Sequence, residues 1–280
     1  MICKILKPAL VLLALLAAFP AFALETPWSG ADHMRAKILS SVQTIGGFES
    51  FDAALNIRMD EGWHSYWRTP GDSGLPPRFD WSGSENIESV SVLYPTPQRF
   101  DEYGLYTFGY AGDAVFPLQV NLKEPGKAAK LALALETMVC KDICIPQSLA
   151  LSLDIPGGAG EDSGAAAQID YAARQIPVAG DTKDLAVTTV VASADYLVIS
   201  ARGVDDAQGA DVFVELQDDG NTIGLTAKPE IEITDANQKT AIFKIAKPQD
   251  IENLSAFLQG KELVITLVNG HDAVEKRLQF

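Results

Sequence analysis

Apolar residues recur at every second position through much of this chain. Phe51, Ala53, Leu55, Ile57 and Met59 alternate with Asp52, Ala54, Asn56, Arg58 and Asp60. Leu131, Leu133 and Leu135 form a second such set, and Leu149, Leu151 and Leu153 a third. Successive side chains of a strand point to opposite faces, so this period predicts strands with one buried face. Between Gly62 and Gly112 the chain is rich in Gly, Pro and aromatic residues, which predicts long ordered loops joining short strands. Pro156-Gly157-Gly158-Ala159-Gly160 reads as a flexible break. After it, Ser163 is placed to cap a short helix with Ile169, Ala172, Ala173 and Ile176 on one face, stopped by Pro177. Alternation resumes near Leu185, in the sets Val212/Val214/Leu216, Ala241/Phe243/Ile245 and Leu263/Ile265/Leu267. Turn signals at Asp218-Asp219-Gly220-Asn221 and Asn269-Gly270 separate or end these runs. The pattern predicts an all-β chain of two tandem β-sandwich domains, residues 24–157 and 184–280, joined over 158–183 by a short, partly helical connector.

The start of the chain differs from the rest. Lys4 and Lys7 precede an apolar stretch from Pro8 to Phe19, and Ala21-Phe22-Ala23 offers small residues at signal-peptidase spacing. Residues 1–23 therefore read as a secretory signal peptide, too short in its apolar part to span a bilayer. No cysteine sits at the cleavage point, no other segment is long and apolar enough to insert, and the expected location is the periplasm, where disulfides persist. The 22 basic and 37 acidic residues give a formal charge of −15, which argues against nucleic acid and anionic membrane surfaces as partners.

Of three cysteines, Cys3 lies in the signal, leaving Cys140 and Cys144 in the run Met138-Val139-Cys140-Lys141-Asp142-Ile143-Cys144-Ile145-Pro146. Two alternating apolar strands flank the pair, which places it at a hairpin tip with the thiols facing. Facing residues in such a pair have Cα atoms roughly 4.5–5.5 Å apart, within the range of a disulfide. A bridge around so small a loop stabilises by only about 2 kcal/mol, against nearly 5 for a loop of about 100 residues. An easily cycled disulfide is therefore favoured over a structural staple. The third reading is a soft-metal site, such as Cu(I) held by two thiolates. His33, His64 and His271 are the other candidate ligands, and none lies at a ligand-like spacing from the pair. No Ser-His-Asp set, phosphate loop or paired-carboxylate site stands out, and nothing in the second domain suggests chemistry.

Three motifs carry a resemblance. They are Gly62-Trp63-His64-Ser65-Tyr66-Trp67-Arg68-Thr69-Pro70-Gly71-Asp72-Ser73-Gly74, then Arg99-Phe100-Asp101-Glu102-Tyr103-Gly104 with Phe108-Gly109-Tyr110, then Cys140 to Pro146. Together they resemble the periplasmic N-terminal module of the thiol:disulfide interchange protein DsbD, most of all the longer two-sandwich form of the ScsB-type relatives. The resemblance covers most of the first domain, and the second matches only in type and position. It implies an immunoglobulin-like fold and an electron-relay activity, a component of a protein-disulfide reductase, with no bound cofactor. It makes Cys140 and Cys144 the redox pair, with Cys144 forming the mixed disulfide. Asp101, Glu102 and Tyr103 match a cap loop that shields the disulfide, and Tyr66 matches a tyrosine beside it. The implied partners are periplasmic thioredoxin-fold proteins and a membrane electron donor of the DsbD/CcdA type; no membrane or thioredoxin domain follows the second sandwich, so the expectation is that those parts are encoded separately or that another partner replaces them. The departures are a shorter cysteine spacing, a shorter cap, and His64 where the family tends to carry another tyrosine. Carboxylates at Asp142, Asp101 and Glu102 disfavour a thiolate, so the reduced pair is expected to stay inert until a partner opens the cap.

Overall fold

The structure is a computed structural model and describes residues 23–218 and 221–280. Residues 1–22, on which most of the export-signal reading falls, lie outside the described residues, as do Asp219 and Gly220 of one turn signal. No helix among the described residues is long and apolar enough to cross a membrane.

The chain begins with β1 (Leu24–Glu25), β2 (Ser29–Ala31), β3 (Met34–Ser40) and β4 (Ser50–Met59). Then come β5 (His64–Gly71), β6 (Arg78–Asp80), β7 (Ile87–Val92), β8 (Gln98–Glu102) and β9 (Leu105–Ala111). The first domain closes with β10 (Asp113–Leu122), β11 (Ala129–Cys140) and β12 (Cys144–Ile155), followed by α1 (Ala166–Ala173). The second domain holds β13 (Val178–Ala179), β14 (Ala186–Ala192), β15 (Tyr196–Arg202), β16 (Ala210–Asp218) and β17 (Asn221–Leu225). It ends with β18 (Glu230–Asp235), β19 (Thr240–Ala246), α2 (Leu254–Leu258), β20 (Glu262–Asn269) and β21 (Asp272–Gln279).

Each domain is a sandwich of two sheets. In the first, one sheet runs β1-β3-β4-β10-β7 with β2 on β3, and the other runs β12-β11-β5-β9-β8 with β6 on β11. In the second the orders are β13-β21-β20-β16-β17 and β14-β15-β19-β18. The alternating residues read from the sequence fill the cores. Phe51, Ala53, Leu55, Ile57, Leu131, Leu133 and Leu135 are buried together in the first sandwich, and Val212, Val214, Phe243, Ile245, Ile265 and Leu267 in the second. The fold is all-β and immunoglobulin-like, as the alternation and the resemblance imply.

Three local expectations are corrected. The stretch from Gly62 to Gly112 is mostly strand, because β5, β6, β8 and β9 join one sheet and β7 the other despite their Gly and Pro content. The glycine-rich segment after β12 is not a loose break. Gly158 N–H donates to Ile45 O (2.9 Å), and Gly160 N–H to Thr44 Oγ1 (3.2 Å), which ties it to the loop after β3. Finally, α1 starts only at Ala166, three residues after Ser163, whose Oγ accepts from Ala165 N–H (3.2 Å) at the turn leading into the helix and from the backbone of Leu24 (2.9 Å) at the edge of β1. Ile169 and Ala172 are buried but Ala173 is exposed. The helix packs with Leu39 and Ala54 on the outer face of the first sandwich. That cover explains why Ala54 and Asn56, on the face of β4 opposite the core, are also buried.

The sandwiches share an interface with a charged centre. Strand β5 pairs with β9 through Tyr66↔Gly109 and next through Gly71↔Thr107, so Trp67 to Pro70 bulge where β9 spends one residue. Gly109 makes this possible, since a Cβ there would stand 1.8 Å from Ser65 O. From the bulge, Arg68 forks onto Glu215 Oε1 and Oε2 of β16 (Nε at 3.0 and 3.2 Å, Nη2 at 2.6 Å) and reaches Glu275 of β21 (2.5 Å). Thr69 Oγ1 donates to Glu215 Oε1 (2.5 Å). Phe213 of β16 joins the first sandwich's core, 5.0 Å from Phe108 and 5.8 Å from Trp67 between ring centroids. Burial disfavours the charge on Arg68, but Glu215 and Glu275 outweigh it and push its pKa above the ordinary value. Breaking a buried pair by removing one partner leaves a charge without its counterpart. Glu215→Ala is therefore expected to cost about 3 kcal/mol, read as a lower urea midpoint, and Glu275→Ala, which leaves the Arg68–Glu215 fork intact, to cost less.

Candidate thiol–disulfide site

Cys140 ends β11 and Cys144 begins β12, and the two are register partners at the tip of the hairpin. Val139 is part of the core, so Cys140, one residue on, faces the opposite side of its strand. The two cysteines form a disulfide with Cα atoms 4.1 Å apart, and Lys141 N–H closes the tip onto Ile143 O (3.1 Å). Their surroundings differ. Cys140 is also the register partner of His64 in β5, so it lies inside the sheet and is 1% exposed. Cys144 opens the edge strand β12 and is exposed, as are Lys141, Asp142 and Ile143.

Strand β5 supplies the floor. Tyr66 is fully buried, and its hydroxyl donates to Cys140 Sγ at 2.9 Å while lying 3.7 Å from Cys144 Sγ. Burial, with the negative charge of Glu102, pushes the Tyr66 hydroxyl up to about 12 against an opposing hydrogen bond with Ser73. The group is therefore a proton-bearing donor at neutral pH. The turn after β5 covers the ring: Gly74 has φ +86°, and a Cβ there would stand 2.2 Å from Tyr66 Cε1. The Asp72-Ser73-Gly74 turn thus packs against Tyr66.

His64 precedes Tyr66 by two residues on the same face, with ring centroids 5.5 Å apart. Its Nε2 lies 2.9 Å from Glu102 Oε1, both groups being well covered, and Phe100 stacks on its ring at 4.5 Å. Phe100 and Glu102 alternate on β8, so one face of that strand presents both to His64. Burial lowers the His64 pKa against the upward pull of Glu102, leaving a largely neutral imidazole at pH 7.

Of the proposed cap residues, Glu102 alone is brought to the site, through His64. Asp101 Oδ1 instead accepts from Gly104 N–H (3.0 Å) and shapes the β8–β9 turn. Tyr103 sits at that turn with φ +57° and is 97% exposed. Its side chain makes no covering contact in this structure. A residue at the tip of a two-residue hairpin turn points away from both strands. Phe100, Ser73 and Gly74 are the neighbours that sequence reasoning did not assign. All three lie inside the quoted motifs, but only pairing of distant strands shows which ring or hydroxyl they meet. Among the described residues, no three of His, Cys, Asp and Glu gather as a metal-holding cluster.

The first domain is an immunoglobulin-like sandwich with a disulfide at the tip of an edge hairpin, one sulfur buried and one exposed, an arrangement suited to thiol–disulfide exchange. Residues 41–154 match the sequence family of the N-terminal domain of the thiol:disulfide interchange protein DsbD. Over this span the first sandwich is similar to the DsbD N-terminal family. Among solved structures, the N-terminal periplasmic domain of ScsB from Proteus mirabilis superposes with a TM-score of 0.68 at 19% identity, over 92% of this chain and 98% of that one. The C-terminal domain of the antigen I/II polypeptide BspA of Streptococcus agalactiae aligns at 9% identity over 85% of this chain and 94% of that one. Its TM-score of 0.19 is too low to indicate a shared fold. No curated protein matches the chain in sequence.

The depressed pKa of His64 has a consequence for stability. Unfolded His64 takes up a proton near pH 6.5, whereas the folded site resists it until lower pH. Its contribution is complete above about pH 6.5 and is lost as pH falls towards the folded value. Thermal melts from pH 8 to pH 5 should therefore show a steeper loss of Tm for the native chain than for His64→Gln, which has no proton to take up.

Proposed function

We propose that this protein is a periplasmic electron relay that cycles the Cys140–Cys144 pair between disulfide and dithiol with thioredoxin-fold partners. A membrane electron donor of the DsbD/CcdA type would supply the reducing equivalents. The periplasmic location is supported by the similarity to a periplasmic domain and by the composition of residues 1–23. The observation that carries the reading is the asymmetry of the pair: Cys144 is open to solvent while Cys140 is buried beneath the Tyr66 hydroxyl.

Exchange proceeds by in-line attack of a thiolate on a disulfide sulfur. The donor thiolate attacks Cys144 Sγ, the accessible sulfur; a bond forms between the two, and the Cys140–Cys144 bond breaks. Cys140 leaves as a thiolate, and Tyr66 O–H is already aimed at that sulfur, as a charge-assisted donor should be. The donor's second thiolate then attacks its own sulfur in the mixed disulfide and releases Cys144 as a thiolate. Two electrons have moved, and the donor holds the disulfide. Delivery runs the same steps backwards onto an oxidised recipient, with Cys140 resolving the mixed disulfide. Glu102 and Phe100, held on His64, act as the cover that a docking partner displaces, with Asp101 and Tyr103 forming the turn that a partner meets first.

The cysteine variants test this. Cys140→Ala should accumulate a mixed disulfide between Cys144 and an oxidised thioredoxin-fold recipient, detected by mass, because the Cys144 thiolate can open the recipient's disulfide but no Cys140 thiol remains to resolve the product. Cys144→Ala should abolish exchange while lowering stability by only about 2 kcal/mol, the loop-entropy value of so short a bridge. Equal trapping by both variants, or reduction that unfolds the domain, would overturn the relay. Tyr66→Phe removes the donor to the leaving sulfur without emptying its space, and should slow reduction by about tenfold, equivalent to about 1.4 kcal/mol.

A further inference from the structure

We propose that the second sandwich is a positioning element of the thiol–disulfide site, in which Glu215 and Asp211 hold the two strands that carry Tyr66 and Glu102. The proposal rests on the exchange reading above and gives the second domain a role in it.

On β5, Tyr66 is the last residue in register with β9 before the bulge. The very next residues leave for the second domain: Trp67 packs on Phe213, and Arg68 and Thr69 bind Glu215, itself 1% exposed. Where pairing resumes, Asp72 ties the same segment down twice, accepting from Tyr106 N–H (2.7 Å) and from Thr226 Oγ1 (2.5 Å) of the second domain. The position of Tyr66 under Cys140 is therefore set from one side by the first sheet and from the other by Glu215.

Strand β8 is held in the same way. Arg99 forks onto Asp211 of β16 (2.9 and 3.0 Å) and donates to Val212 O (2.9 Å) and Thr226 O (2.7 Å). Adjacent strand residues point to opposite faces. Arg99 thus faces the second domain while its neighbour Phe100 stacks on His64. The second sandwich fixes the cover hairpin up to Arg99. Motion of the cover is thereby confined to the segment beyond it, from Phe100 to Leu105. Glu215 and Asp211 touch no sulfur; they act through Arg68 and Arg99.

The test uses the full oxidised chain and a small dithiol, dithiothreitol, with reduction followed by thiol alkylation and mass, and with hydrogen exchange of the amides from Phe100 to Leu105. Asp211→Ala should speed reduction several-fold and speed exchange of those amides, and Asp211→Glu, which restores the carboxylate, should return both towards the native values. Asp205→Ala removes an acidic group that pairs only within the second domain, with Lys239, and should change neither. If Asp211→Ala does not fold, Thr226→Val serves, since it deletes only the hydroxyl bound to Asp72 and leaves the backbone carbonyl for Arg99. Native rates and exchange in these clamp variants, or an equal acceleration by Asp205→Ala, would overturn the proposal. Failure of the relay reading looks different: the native chain would then react with dithiothreitol but not with thioredoxin-fold dithiols.

Discussion

A carboxylate as deeply buried as Glu215 is tolerable only where its partners are fixed, and that requirement organises the molecule. Its partners are Arg68 and Thr69, and both reach it only because β5 leaves its neighbour for four residues. The bulge in turn needs Gly109 opposite, where no side chain fits against Ser65. With the bulge anchored, the residues before it, His64 to Tyr66, are delivered to the end of β11 in register with Cys140. The ion pair is thus less a source of net stability than a device for specifying one arrangement of strand and domain.

The site itself follows from sheet position. Cys140 lies between two strands and Cys144 at an edge, so a symmetric covalent bond has two chemically unequal ends. Tyr66 adds to the inequality by directing its proton at the buried sulfur. An incoming thiolate has one approachable target, and the sulfur it expels has a donor waiting. The arrangement needs no helix N-terminus and no nearby cation, the usual aids to a thiol in exchange chemistry.

Much of this was legible in the sequence. Period-two alternation located the core strands, because a strand with one wet face must alternate, and the flanking alternation placed Cys140 opposite Cys144. What alternation could not show was cover on the second face. Ala54 and Asn56 read as exposed positions and are buried, since α1 and its flanks lie over them. The Gly62 to Gly112 stretch read as long loops joining short strands because its strands are interrupted by a bulge and by glycines required for close approach, which erases the period. Tyr103 was assigned by motif position, yet a hairpin tip turns its side chain to solvent, and the contacts on His64 are made by Phe100 and Glu102 instead. The links from Arg68 to Glu215 and from Arg99 to Asp211 join residues more than a hundred positions apart. Charged residues at such separations carry no local signature, so the contacts between the two sandwiches were invisible until the two were seen together.

The strand that carries the reactive sulfur is also an unpaired sheet margin, and unpaired margins invite other chains to add on as further strands. Pro146, two residues after Cys144 and exposed, has no N–H to offer such a strand. The hairpin therefore presents sulfur while withholding part of the backbone ladder. A thiol that is to meet a partner only briefly gains from this, because an encounter can be consummated by a reversible covalent bond and then end, without a continuous sheet to hold the pair together.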